Sequence, residues 1–184
     1  MLKIIVFPSR EKIITADRKI MRVYPIFTEK GERLQDCTDF AGMKDVEISV
    51  LHWFWPFRAL KLNITSEVKR GVVEFLHQYH ARQDLSFDCY SFVRLVYGID
   101  REHHTEFMTR FWKICTYRWW RRKIGDVAFL IDFESNYFHH AAIYIGLGLY
   151  LSVYGAGGDL EIATLKDMVR DYGAKDVVSG VPRH

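Results

Sequence analysis

The sequence predicts an α+β fold, and three observations carry the prediction. Short β patterns crowd residues 1–60, two helical stripes follow between 65 and 97, and the pattern returns to β from Asp126 onward. This divides the chain into a β-rich N-terminal extension or subdomain, residues 1–60, packed on a core of residues 61–184. The chain has 184 residues, 49% of them hydrophobic and 15% aromatic, enough to bury one substantial core.

In chain order, Leu2–Phe7, Met21–Phe27 and Val46–Trp55 read as strands, and Glu29-Lys30-Gly31-Glu32 as a turn. Thr65 to Tyr79 reads as a helix. Thr65 or Ser66 can cap it, Glu67 favours its first turn, and Val68, Val72, Phe75, Leu76 and Tyr79 form one apolar stripe. Gly71 is a poor helix former in the middle of that pattern. A second helix runs from Asp88 to Tyr97, capped by Asp88 and stopped by Gly98, with Cys89, Phe92, Val93 and Val96 on one face. Residues 101–124 form a crossover rich in tryptophan and arginine. Val127–Ile131, Phe138–Ile145 and Leu149–Tyr154 read as strands, with Gly146-Leu147-Gly148 as a hairpin loop. A last helix spans Thr164 to Tyr172, opened by a Thr164/Asp167 capping box and ended by Gly173.

Composition excludes several classes. A net charge of +3 and a pI of about 8.7 are weak grounds for a polyanionic partner, and no nucleic-acid partner is expected. Three cysteines (Cys37, Cys89, Cys115) make no disulfide framework. His77/His80 and His103/His104 are ligand-like pairs, but no cysteine or carboxylate cluster completes a tetrahedral set, so no metal is expected. No phosphate-loop or nucleotide motif is present, and no cofactor is expected. The N-terminal run is too short and too weakly charged for a signal peptide, and no stretch is long enough to span a membrane. The expected location is cytoplasmic, or outside the cell by a route that needs no cleaved signal.

The chemistry rests on a thiol and an imidazole, 51 residues apart. Cys89 falls in the first turn of a predicted helix, where unpaired backbone N–H groups and the helix dipole favour thiolate. His140 lies on a predicted strand that would face it. Together they are the parts of a cysteine nucleophile and its base. The competing reading is that Cys89 is a small core residue on an apolar stripe. Along the strand, His140, Ala142 and Tyr144 point one way and His139, Ala141, Ile143 and Ile145 the other. The His139 face is the more apolar, so His139 could be a core histidine. If Ile145 pairs with Leu149, His140 faces Tyr154, and Ser152 lies diagonal to it. Ser152 is the preferred group to orient the histidine, with Tyr154 the competitor. The basic, tryptophan-rich segment with Trp112, Trp119, Trp120 and Arg121 could touch a membrane surface or glycan. The commoner arrangement buries the rings under the arginine stems.

The same residues carry a family resemblance. Phe87-Asp88-Cys89-Tyr90-Ser91-Phe92-Val93 resembles the F-D-C-S-G-F-V motif of NlpC/P60 cysteine peptidases, Gly125-Asp126-Val127-Ala128-Phe129 their G-D-L-V-F-F strand, and His140-Ala141-Ala142-Ile143-Tyr144-Ile145-Gly146 their H-V-G-I-Y-L-G. It covers roughly Thr65 to Tyr172. It implies a papain-like fold, a cysteine-bearing helix on an antiparallel sheet bearing the histidine, and hydrolysis of amide bonds in peptidoglycan stem peptides without metal. The catalytic set it implies is Cys89, His140 and Ser152, the last standing where the family often has a third histidine. Tyr79, Asp88, Tyr90 and Tyr154 are expected to contact substrate. The sequence departs from the family at Tyr90-Ser91, at Ser152, and in lacking the aromatic-Gly-Gly loop before the cysteine. The same machinery would serve an effector or toxin acting on protein or lipid as protease, deamidase or acyltransferase, or a degenerate domain that only binds.

Overall fold

The computed structural model describes residues 1–14, 18–37, 40, 42–51, 58–82, 88–99, 115–116, 122–155 and 158–180, with the backbone alone for 79–82 and 115–116. The chain is α+β. Its strands are β1 (Leu2–Val6), β2 (Glu11–Ile14), β3 (Ile20–Val23), β4 (Ile26–Thr28), β5 (Val46–Leu51), β6 (Ala59–Lys61), β7 (Cys115–Thr116), β8 (Val127–Asp132), β9 (Tyr137–Gly146), β10 (Leu149–Val153), β11 (Leu160–Thr164) and β12 (Asp176–Gly180). Its helices are α1 (Ser66–Arg82), α2 (Cys89–Tyr97) and α3 (Leu165–Tyr172).

The strands form a four-stranded sheet in the order β4-β1-β5-β6, a six-stranded sheet in the order β11-β10-β9-β8-β12-β7, and the separate hairpin β2–β3. The six-stranded sheet is antiparallel throughout, whereas β1 and β5 run parallel. The expected strand Met21–Phe27 is split in two at Pro25, which lacks the N–H a continuous ladder needs. Leu160–Thr164, Asp176–Gly180 and Glu11–Ile14 are strands the sequence pattern did not announce. Most of the crossover lies outside the described residues.

Both helix ends predicted by capping are present. Asp88 accepts a 2.8 Å hydrogen bond from the Ser91 N–H at the start of α2, and Thr164 caps α3 through the Asp167 N–H. Gly98 and Gly173 end these helices in the left-handed region, at φ 64° and 68°.

The six-stranded sheet is covered on both faces. Val127, Phe129, Ala141, Ile143 and Leu151 meet Phe92, Val93 and Val96 of α2, with α1 and the first sheet beyond them, in one buried cluster. Ala128, Leu130, Ala142, Tyr150 and Ala163 meet Met168 of α3 and Met21 and Val23 of the hairpin in a second. Alternation along each strand sorts the residues between the two faces.

The helix pair α1/α2 explains the glycine inside α1. A Cβ at Gly71 would sit 2.3 Å from Val96 Cγ2 and 2.7 Å from Val96 Cα. Gly71 is there so that the two backbones can approach. Gly71→Ala should therefore destabilise the fold by about 1–3 kcal/mol, despite alanine's better helix propensity. Urea denaturation measures this, and an unchanged or raised midpoint would contradict the packing.

Candidate active site

Cys89 is the first residue of α2, directly after its cap, as the sequence indicates. Its side chain is buried, in the cluster on the α2 face of the sheet. Burial, followed by the nearby Asp88 carboxylate, pushes the thiol up to about 12. Against this, backbone hydrogen bonds from Ala141 of β9, from Tyr90 and from Cys89 itself favour thiolate. The sulfur thus lies at a helix N-terminus and against the strand that carries the histidines, in its protonated form.

The histidine strand is less regular than its sequence suggests. Between β8 and β9 the register runs Phe129↔Ala141 and Leu130↔His140, then skips to Ile131↔Phe138. His139 is the extra residue of a β-bulge. His140 pairs with Leu130, and both belong to the face covered by α3. Cys89 packs on the opposite face with Ala141. The expected Cys89–His140 pair is therefore not formed, because alternation along β9 sends the His140 side chain through to the other side of the sheet.

His140 is fully buried there. Its ring stacks on Tyr172 of α3, 4.3 Å between centroids at 18°, and tilts against Tyr154 at 4.9 Å. Among the described residues, neither ring nitrogen has a hydrogen-bond partner. Burial, with a smaller contribution from the Lys19 charge, pushes the imidazole down to about 3, so it is neutral.

The predicted β9–β10 register holds through Tyr150↔Tyr144 and Leu151↔Ile143, with a one-residue shift at the hairpin loop. It brings Tyr154 beside His140, but through ring contact. The Tyr154 hydroxyl has no partner among the described residues. Ser152 does not orient the histidine. Its hydroxyl donates to the Ala141 carbonyl at 2.6 Å, with a longer contact to Val153 O. A short side chain bonded to its neighbouring strand has no reach left for an imidazole. Tyr90 and Tyr154, expected at the substrate surface, are both buried, since their rings complete the cores on the two faces of the sheet. The Asp88 carboxylate caps α2. The Tyr79 side chain and Trp112, Trp119, Trp120 and Arg121 lie outside the described residues.

The residue that the sequence offered only as a possible core histidine is His139. It is half-buried, its ring edge-on to Tyr137 at 4.8 Å, and among the described residues its Nε2 is buried without a partner. It precedes Ala141 by two positions, about 7 Å along an extended strand. Alternation already sets His139 on the Ala141 face; what the sequence did not show is that this face, and not the His140 face, meets α2.

Among the described residues no group of three or more His, Cys, Asp or Glu side chains is arranged to hold a metal, and no helix is long and apolar enough to cross a membrane. What fold and site define is an α+β protein with a cysteine at a helix N-terminus against an antiparallel sheet. No family model, no curated protein and no solved structure matches the chain.

One consequence of the cap is measurable. Asp88→Asn keeps a side-chain acceptor for Ser91 but removes the charge that holds the Cys89 thiol up. The Cys89 pKa should fall, with stability changed by less than about 1 kcal/mol. A pH titration of thiolate absorbance would show it, and an unchanged or raised pKa would contradict this account.

Proposed function

We propose that this protein is a cysteine hydrolase of papain-like architecture, with Cys89 as nucleophile. The observation that supports the reading is the placement of its sulfur, at the first turn of α2 and hydrogen-bonded by backbone groups of Ala141, Tyr90 and Cys89. Those are groups that stabilise a thiolate, and the Cys89 N–H can also hold an oxyanion. The motif resemblance to NlpC/P60 peptidases directs the choice of substrate to an amide of a peptidoglycan stem peptide.

The base in this reading is His139 in place of His140, since His140 is committed to the opposite face. His139 takes the Cys89 proton, and the thiolate attacks the amide carbonyl to give a tetrahedral intermediate. The imidazolium then protonates the departing amine, and water, activated by the same imidazole, releases the acid and restores the thiol. The resting thiol is protonated and buried, so catalysis requires His139 to turn from Tyr137 towards the sulfur.

Incubation with purified peptidoglycan, followed by mass spectrometry of released fragments, tests the reading. Wild type should release stem-peptide fragments, and Cys89→Ala should release none while keeping its near-ultraviolet circular dichroism. Equal release by both would overturn it. Fragment release absent on peptidoglycan but present on a protein or lipid ester would move the same chemistry to an effector-like target.

A second reading is favoured by the raised thiol and the unpaired histidines: a degenerate domain that binds without turnover. It predicts saturable binding of peptidoglycan fragments by calorimetry, identical in Cys89→Ala, with no product.

A further inference from the structure

The pairing of β9 with β10 stops one rung short, at the thiol. Successive residues of a strand turn their N–H and C=O groups to its two neighbours in turn. Tyr144 donates its N–H to the Asp126 carbonyl at 2.8 Å, and its own carbonyl accepts from the Gly125 N–H at 2.9 Å, on the β8 side. Ile143 and Ala141 therefore turn their backbone groups towards β10. Ile143 pairs there with Leu151, the last pair at this end of the ladder. The next rung in that register would join Ala141 to Val153, and it is not made. Ser152 and Val153 nonetheless stay in β10, paired with Glu161 and Leu160 of β11.

Two side chains take the groups this rung leaves over. The Ser152 hydroxyl donates to the Ala141 carbonyl at 2.6 Å and lies 3.5 Å from the Val153 carbonyl, within reach of both oxygens of the missing rung. The Ala141 N–H bonds the Cys89 sulfur. The two side chains come from opposite faces of the sheet. Cys89 belongs to the cluster under α2, with Val153, whereas Ser152 alternates with it and falls on the side of Tyr150 and Tyr154, under α3.

Ser152 and Ala141 are fully buried, where an unmade backbone hydrogen bond is costly. A closed rung would satisfy Ala141 through Val153 alone. A hydroxyl on the Ala141 oxygen occupies the acceptor that the Val153 N–H would use. The Ala141 N–H is then left for the sulfur.

We propose that Ser152 is a positioning residue of the Cys89 site, a wedge whose hydroxyl holds this rung open so that the Ala141 N–H serves the sulfur and not Val153. Without the hydroxyl, the Val153 N–H reaches the Ala141 oxygen, the rung closes, and the Ala141 N–H passes to the Val153 carbonyl. The thiol then loses the donor that comes to it from outside its own helix. That this donor assists attack on an amide rests on the hydrolase reading; that the wedge holds the rung open does not.

The test is amide hydrogen exchange at Ala141, followed by nuclear magnetic resonance near neutral pH in the full chain. Each rate is divided by that of Ile143, whose rung is intact, which removes any change in overall stability. Cys89→Ala takes away the acceptor while the wedge stays, so Ala141 should exchange at least about tenfold faster than in wild type. In the double variant Cys89→Ala/Ser152→Ala it should return to the wild-type rate, because a closed rung no longer needs the sulfur. A serine that merely filled space would leave the double variant as fast as Cys89→Ala or faster. An Ala141 rate unchanged by Cys89→Ala, or a double variant that stays fast, would overturn the wedge. The first comparison leaves Ser152 in place, so it decides even where the double variant does not fold. The expected pattern with no product from any amide substrate leaves the wedge standing and sinks the hydrolase.

Discussion

His139→Ala should lower kcat/KM on a stem-peptide amide by about 10²–10⁴-fold, the usual worth of a positioned general base, with the fall in kcat. His140→Leu should act differently. It replaces a buried imidazole that has no hydrogen-bond partner among the described residues with an apolar side chain of similar size. Removing unmet polar groups offsets the lost ring stacking, so stability at neutral pH should stay within about 1 kcal/mol or rise. The split follows from which face of β9 meets α2: Ala141 packs with Cys89, so alternation turns His140 to the α3 side. Had the His140 face met α2, the result would be the reverse. Added imidazole should restore part of the His139→Ala activity, which a purely structural role would not allow. An active His139→Ala enzyme alongside a folded, inactive His140→Leu would show that β9 presents the other histidine during turnover.

Stability should peak in a plateau between about pH 4.5 and 6.5, set by two buried groups of opposite sense. His140 has its pKa depressed from 6.5 to about 3 by burial. Its contribution is fully present above the unfolded value and is lost as pH falls towards the folded one, at most about 5 kcal/mol. Glu161 is 5% exposed on β11, and its pKa is raised from 4.5 to about 8, by burial first and then by Asp159 and Glu11, with Arg33 opposing. Its contribution is present below about 4.5 and is lost as pH rises through about 8. Between the two unfolded values the slopes cancel. Asp167, held low by Thr164, Arg170 and Arg10, adds to the acid limb, so the variants isolate each part. His140→Leu should flatten the acid limb and Glu161→Gln the alkaline one, in urea melts from about pH 3 to 9. A limb unchanged by its variant would contradict the assignment.

Local chemistry made much of this legible beforehand. Asp88 and Gly98 bracket α2 because a cap and a left-handed stop are local decisions. The β9–β10 register followed from a short loop, and it brought Tyr154 to His140 as expected. The bulge at His139 was not legible, since it exists only in the pairing of β9 with β8. Nor was it legible which face of β9 meets α2, and that choice, with Ala141 beside Cys89, turns His140 away. Ser152 matched the position of an orienting residue but not its reach, and the 2.6 Å bond to Ala141 O shows where its hydroxyl goes. The strand Leu160–Thr164, which runs directly into α3, was hidden because its edge is completed by Tyr24, from the far end of the sequence.

The most direct test of the central claim is intact-mass spectrometry of the protein mixed with a stem-peptide amide at about pH 5, quenched early and mapped by peptide. The account predicts a transient acyl adduct, a thioester on Cys89, that disappears as product forms. Product formed with Cys89 unmodified, or adducts confined to Cys37 or Cys115, would contradict it.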